Sequence, residues 1–359
     1  MEFPEHGANP QAITKLFQLP LSENTIDFSV NVNPYQPFRQ LKENWNDFYK
    51  EMLVYPDPHS TELVQKIADC ENLNNGQILI GNGASELIYL LAHYFSGSDV
   101  LVIDPAFSEY RKACETFGSK VYSFTVSEET DWQVDLLELE RALSGKSVLF
   151  ICHPNNPTGV SYSREWFETV FQMTEDLGVV VVVDEAFYHF MGKPFSVVSY
   201  LRRFPHVVVL RSLTKMFHIP GIRLGFLLGS ESFIKEVRQL QPSWSVNGVA
   251  QKVGVLCLEQ TGYIADTARN IALDRYDLFS SLDRLGFLTS PSAVNFYLLR
   301  PKGEKRDLLP LIRYLLKKGI VPRHTYNFIG LDGNYLRLAV RTSRENERLL
   351  EALESWGGQ

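Results

Sequence analysis

A lysine set among hydroxyl side chains, with an arginine eight residues on, has the makings of carbonyl chemistry beside a phosphate. The chain carries this set as Ser212-Leu213-Thr214-Lys215, followed by Arg223. A neutral amine attacks an aldehyde, and partial burial near positive charge lowers a lysine's pKa enough to supply one. Ser212, Thr214 and Arg223 could hold a phosphate through charge-assisted hydrogen bonds. A lone S-x-x-K equally describes a solvated loop lysine, so the rest of the chain has to decide.

Four other stretches offer matching chemistry. Gly81-Asn82-Gly83-Ala84-Ser85-Glu86 stands between a short apolar run, 78–80, and a helical run, 87–95. Strand, glycine turn and helix start together present free N–H groups and a helix dipole to an anion, and Ser85 adds a hydroxyl. A glycine-bearing helix cap has the same pattern. Strand 100–103 ends in Asp104-Pro105-Ala106-Phe107. Ligands of open α/β sheets bind at such carboxyl ends, so Phe107 either stacks on a planar group or packs in the core. Strand 148–152 runs into His153-Pro154-Asn155-Asn156-Pro157-Thr158-Gly159. Two prolines and a glycine make this a rigid turn, with a place for a cis proline, that fixes Asn156. The valine run 179–183 reads as a central parallel strand buried on both faces. It ends in Asp184-Glu185-Ala186-Phe187. A carboxylate there needs a cation, and a protonated pyridine nitrogen or a salt-bridge partner would serve.

The elements that must position these residues follow from periodicity. His6-Gly7-Ala8-Asn9-Pro10 forms a turn before a short helix, 11–17. Ile26 to Pro34 alternates apolar and polar residues, which predicts an extended segment with Asn31 and Asn33 on one face. Taken alone, this N-terminal arm is a loose end. Tyr55-Pro56-Asp57-Pro58 is a turn, 61–70 and 164–177 are helices, 207–210 and 224–228 are strands, and 233–240 is a helix. Strands and helices alternate at βαβ spacing, so one largely parallel sheet covered on both faces is expected. Beyond it come a long helix, 263–285, a strand, 294–299, a helix, 307–318, closed by Gly319, and a strand, 335–340. Thr342 and Glu345 supply a capping box for a last helix. This is a smaller α+β unit, in which Arg323 and Arg337 are candidate anion clamps, though any single arginine also suits a surface. The expected division is an arm, 1–45, a large unit, 46–250, and a small unit, 251–359.

With 359 residues, 45% of them hydrophobic, the chain can bury more than one core. A net charge of −7 without a basic stripe argues against nucleic acid. The four cysteines, Cys70, Cys114, Cys152 and Cys257, form no C-x-x-C and read as reduced thiols of a cytoplasmic protein. The first twenty residues do not resemble a secretory signal, and no apolar run approaches the ~20 residues that span a bilayer. The eight histidines show no paired spacing, so no metal is expected.

Asn156-Pro157-Thr158-Gly159, Asp184-Glu185-Ala186-Phe187 and Ser212-Leu213-Thr214-Lys215 with Arg223 occur in an order and spacing that resembles one family over nearly the whole chain. That family is the fold-type I, pyridoxal-5′-phosphate (PLP)-dependent aminotransferases. The resemblance implies that Lys215 holds the cofactor as a Schiff base and shuttles a proton. It implies that Asp184 partners the pyridine nitrogen, Phe107 stacks on the ring and Asn156 donates to the phenolic oxygen. Ala84, Ser85, Ser212 and Arg223 resemble the phosphate ligands, and Arg337 the arginine that takes a substrate carboxylate. Tyr55 resembles a tyrosine that reaches the phosphate from a second subunit, which implies a homodimer. One departure is Phe187, where histidinol-phosphate aminotransferases carry a tyrosine.

Within the family the resemblance narrows to the threonine-phosphate decarboxylases of the cobalamin pathway. They share the phenylalanine, the His6-Gly7 turn, the Asp27 to Pro34 segment and Trp244-Ser245-Val246-Asn247. Ala8 departs from the glycine of that branch. The match implies that His6, Gly7, Asn31, Asn156, Arg323 and Arg337 line the site of a phosphorylated amino acid, with the arm as a lid. The rivals are a histidinol-phosphate-type aminotransferase and a PLP-binding sensor without catalysis. Such sensors come fused to a DNA-binding domain, for which no residues are left over.

Overall fold

Consecutive valines without a polar break suit a strand covered on both faces, and runs of this kind build the main sheet. The computed structural model describes residues 3–303 and 305–356. A two-residue strand in the arm, β1 (Ile26–Asp27), is followed by seven strands of one sheet. These are β2 (Ile78–Gly81), β3 (Asp99–Asp104), β4 (Lys120–Thr125), β5 (Val148–Cys152), β6 (Val180–Asp184), β7 (Val207–Ser212) and β8 (Gly225–Leu228). Their order is β2-β8-β7-β6-β5-β3-β4. The strands from β7 to β4 run parallel, and β8 lies antiparallel to both β7 and β2. The expected α/β architecture with a largely parallel sheet is therefore present.

Side chains alternate across a strand, and the two faces of this sheet feed two separate cores. Val181 and Val183 join one core with Phe167 and Phe171 of helix Arg164–Leu177. Val182 joins the other, under helices Gly83–Tyr94 and Glu109–Thr116. Because the parallel strands point the same way, Phe107, Asn156, Asp184 and Lys215 all emerge at one edge, just at or after the ends of β3, β5, β6 and β7.

The later strands form a smaller sheet and a parallel pair. They are β9 (Phe287–Thr289), β10 (Phe296–Pro301), β11 (Ile320–Val321), β12 (Arg323–His324) and β13 (Leu336–Ala339). The sheet β12-β13-β10-β9 is antiparallel throughout. β11 instead pairs with β1 of the arm, Ile26 opposite Ile320. Ile13, Phe17 and Phe28 of the arm are buried in the same core as Leu311, Leu315, Leu349 and Leu353. The arm is thus tied down by a strand pair and a shared core.

Several expectations are corrected. The helix expected from residue 87 starts at Gly83, so Ala84 and Ser85 lie in its first turn. The extended segment 26–34 is a strand only over Ile26–Asp27. Helices Glu109–Thr116, Leu136–Leu143 and Gly248–Leu258 and strands β4 and β9 were not expected. Gly248–Leu258 contains two glycines, which weaken any helical reading. Gly254 is there for space: a Cβ would come 2.7 Å from Leu224 and 2.9 Å from Leu63.

Candidate active site

A cavity of about 430 Å³ opens at the carboxyl edge of the parallel strands. It gathers every site residue expected from sequence except Tyr55. Tyr55 is 85% exposed and packs on Trp244, with ring centroids 5.4 Å apart, outside the cavity.

Lys215 follows β7 and its Nζ donates to Thr214 Oγ1 at 3.2 Å. Burial, then the nearby Arg223, and Arg337 lower its pKa to about 8, against the opposing pull of Asp184. A substantial fraction of this amine is therefore neutral near pH 8, the form that attacks a carbonyl. Thr214 Oγ1 also meets Ser212 Oγ at 2.9 Å.

The first turn of helix Gly83–Tyr94 faces this hydroxyl pair from the neighbouring element. Gly83 has φ +79°, and a Cβ on it would stand 2.6 Å from Arg223 Nη2. On Gly225 a Cβ would stand 2.8 Å from the Ala84 nitrogen. Both glycines let a guanidinium and a strand approach the helix start more closely than any side chain would allow. Arg223, Ser212 and the N–H groups of Ala84 and Ser85 consequently form an anion cradle.

Asp184 ends β6, buried. Ala186 N donates to its Oδ1 at 2.9 Å, and the Tyr110 hydroxyl donates to its Oδ2. Burial pushes its carboxyl above the usual range, opposed by these two donors and by Lys215. Among the described residues it has no salt-bridge partner. Phe107 stands close by, edge-on to Tyr110 with centroids 5.8 Å apart. Phe187 packs edge-on against Phe296 and brings no hydroxyl to the cavity.

The opposite wall is cationic. Arg337 donates from Nη1 to Asn156 Oδ1 and from Nη2 to Ser29 O, each at 2.7 Å, and among the described residues its buried Nε has no partner. Burial, with Arg323 close by, lowers its pKa to about 9, and burial lowers that of Arg323 to about 10. Among the described residues neither guanidinium pairs with a carboxylate. Asn31 Oδ1 is likewise buried without a partner among the described residues. Such groups are costly in isolation: the guanidinium groups call for an anionic acceptor, and the Asn31 carbonyl oxygen calls for a donor.

The arm closes the cavity. Arg323 Nη2 donates to Glu5 O at 2.5 Å, and His324 Nε2 meets Pro4 O at 2.8 Å. His6 Nε2 meets Glu109 Oε1 at 2.8 Å, and the His6 ring lies 5.7 Å from Phe107. Gly7 presses on Ser29, whose carbonyl oxygen would be 2.4 Å from a Cβ. Glu5, His6 and Glu109 stand close enough to share a cation, but Lys112 already pairs with Glu5 at 2.6 Å. Asn33 leaves the face it was expected to share with Asn31. Its backbone N–H donates to Lys215 O, and its Nδ2 to Met216 O, both at 2.9 Å.

An amine of lowered pKa, a buried carboxylate without a cation, a flat ring and a phosphate cradle together fit PLP. The sequence pattern described as aminotransferase class I and II matches residues 23–353. The chain belongs to this family. It is a PLP-dependent enzyme. It is 33% identical to a threonine-phosphate decarboxylase of Salmonella typhimurium, over 98% of this chain and 96% of that protein. The crystal structure of an L-threonine-O-3-phosphate decarboxylase from Porphyromonas gingivalis is similar, with TM-score 0.84 and 25% identity over 93% of this chain and 100% of that one. The histidinol-phosphate aminotransferase of Clostridium acetobutylicum gives TM-score 0.86 and 30% identity over 92% and 98%.

Tyr110 and Phe328 are among the lining residues that no sequence motif singles out. A tyrosine three residues after Phe107 at a helix start is the sequence signal for Tyr110. Phe328 lines the cavity from a loop with no motif of its own.

Proposed function

We propose that the protein decarboxylates O-phospho-L-threonine to 1-amino-2-propanol O-phosphate, within cobalamin biosynthesis. The observation that carries this reading is the pair Arg323 and Arg337, buried in the cavity wall and, among the described residues, without carboxylate partners. A substrate with both a carboxylate and a phosphate supplies two anions to such a site. Full-length similarity to a threonine-phosphate decarboxylase supports the same substrate class.

Bound PLP supplies an electron sink for the pair left when the bond between Cα and the carboxylate breaks. The chain's part is to hold the substrate so that this bond is the one that breaks. Arg337 takes the carboxylate. Arg323, His6 and Asn31 take the phosphate end, and Asn156 is oriented by Arg337. Positioning on the scale of ~1 Å decides between carboxylate loss and proton loss at Cα. Lys215 Nζ delivers a proton to Cα once CO2 has left. With PLP bound, Asp184 would accept the hydrogen bond of the protonated ring nitrogen, Phe107 would lie against the ring, and Ala84, Ser85, Ser212 and Arg223 would hold the cofactor phosphate. The arm keeps water out.

A homodimer belongs to this proposal. Residues 52–55 form an exposed apolar run, Met52, Leu53, Val54 and Tyr55, flanked by exposed Trp45, Tyr49 and Trp244. A second copy covering this run would bring Tyr55 to the phosphate end of its neighbour's cavity. The proposal keeps the division at residues 45 and 250, with the arm serving the small unit. It places the protein in the cytoplasm, with which four unpaired cysteines agree. No helix among the described residues is long and apolar enough to cross a membrane.

Histidinol-phosphate transamination is the second reading, favoured by the similarity to the Clostridium enzyme. Phe187 and the His6 arm speak for the decarboxylase. Comparing kcat/KM for O-phospho-L-threonine with that for histidinol phosphate plus 2-oxoglutarate separates the two. A higher value for the second pair overturns the proposal.

A further inference from the structure

Asp184 is a buried carboxylate held by two donors, and one of them has no assigned purpose. Ala186 N–H is a backbone group two residues on and comes with the turn after β6. Tyr110 comes from a different element, 74 positions away, and directs its hydroxyl at Oδ2. Its ring is fixed on both sides, stacked on Phe150 at 5.2 Å and edge-on to Phe107 at 5.8 Å. The hydroxyl is committed to this bond. Burial drives the phenol's pKa far up, so it stays a donor at any working pH. The other neighbour is the Cys152 thiol, a weak acceptor whose own hydrogen goes to Pro154 O at 3.4 Å. Phe107 stands two residues before helix Glu109–Thr116 and Tyr110 in its first turn, so the segment that would lay a ring against the cofactor also braces the carboxylate.

We infer that Tyr110 is a positioning residue for the cofactor: its hydroxyl bond to Asp184 Oδ2 keeps that carboxylate ionised and weakly basic, so that the proton resides on the ring nitrogen. A hydrogen bond to the charged form of an acid favours that form. Without it, a carboxylate in a site this dry becomes the stronger base and draws the proton away, which weakens the electron sink. The inference rests on Asp184 as partner of the ring nitrogen and is independent of which substrate is used.

The test is Tyr110→Phe, which keeps the ring and its packing and removes only the donor. The holoenzyme is loaded with PLP labelled with ¹⁵N in the ring, and the nitrogen resonance is read by NMR. The expected result is a shift of the resonance toward the unprotonated pyridine position. Loss of one bond to a charged group predicts a kcat about tenfold lower or more, with KM little changed. A parallel Asp184→Asn sample separates the two claims. If that variant leaves the resonance in place, the Asp184 assignment fails and takes the inference with it. If it moves the resonance while Tyr110→Phe does not, Tyr110 serves packing alone and the inference is overturned. The nitrogen resonance decides in either case, because a purely structural role for Tyr110 would lower stability without moving it.

Discussion

Lys215 is where sequence and environment meet at the scale of a single residue. The motif around it and the nearby Arg223 were legible, whereas the depth of its burial and the pressure of Arg337 were not. Its pKa of about 8 lies below the ordinary 10.5. Between these values the unfolded chain binds more protons than the folded apoprotein at this position. Apoprotein stability should accordingly gain from this residue as pH rises from 8 to 10.5, the gain being absent below pH 8. Urea unfolding of apo Lys215→Met across that window should show a flatter rise than the parent. The same variant should no longer bind PLP in a borohydride-fixable form. An unchanged slope with undiminished fixation would remove Lys215 from its role. Asn31 and Asn33 mark the limit of pattern reading. Period-two spacing put them on one face, but the strand stops at Asp27, and the chain then turns Asn31 to the cavity and Asn33 to the lysine turn.

The phosphate cradle is made by elements rather than by any one side chain. Helix Gly83–Tyr94, β7 and β8 meet there, and Gly83 and Gly225 allow the approach. Gly83→Ala places a methyl where Arg223 now lies, on a backbone at φ +79° that disfavours a side chain. PLP affinity should fall by roughly tenfold or more, since a displaced charge-assisted bond is worth about 1.5–3 kcal/mol. Equilibrium dialysis of the apoprotein would read it, and affinity within twofold of the parent would contradict the cradle. Element by element, legibility followed periodicity. β6, with four valines, admits few other readings. Helix Glu109–Thr116 is short and largely polar, so it gave no signal of its own, and with it went Tyr110. Its partner Asp184 lies far along the chain, a contact that only the fold reveals.

Across the whole molecule the cavity is complete only because the N-terminal arm crosses it. The arm pairs with β11, shares a core with the small unit and reaches helix Glu109–Thr116 through His6 and Glu5. Terminal position alone describes this segment as a loose end, the resemblance makes it a lid, and the strand pair and the buried Ile13, Phe17 and Phe28 tie it down. His6→Ala should raise KM for O-phospho-L-threonine by about tenfold while changing kcat less, as loss of a binding contact does. Steady-state kinetics with an unaltered KM would reduce the arm to a structural strap.

The central claim is the identity of the bond that breaks. The measurement that addresses it most directly is turnover of O-phospho-L-threonine by the PLP-loaded enzyme in D2O, with no keto acid present. The account predicts one CO2 per substrate consumed, and amino-propanol phosphate carrying a single deuterium at the former Cα, delivered through Lys215. A keto acid product without CO2, or deuterium washed into unreacted substrate with no gas released, would contradict it and make proton removal the reaction of this site.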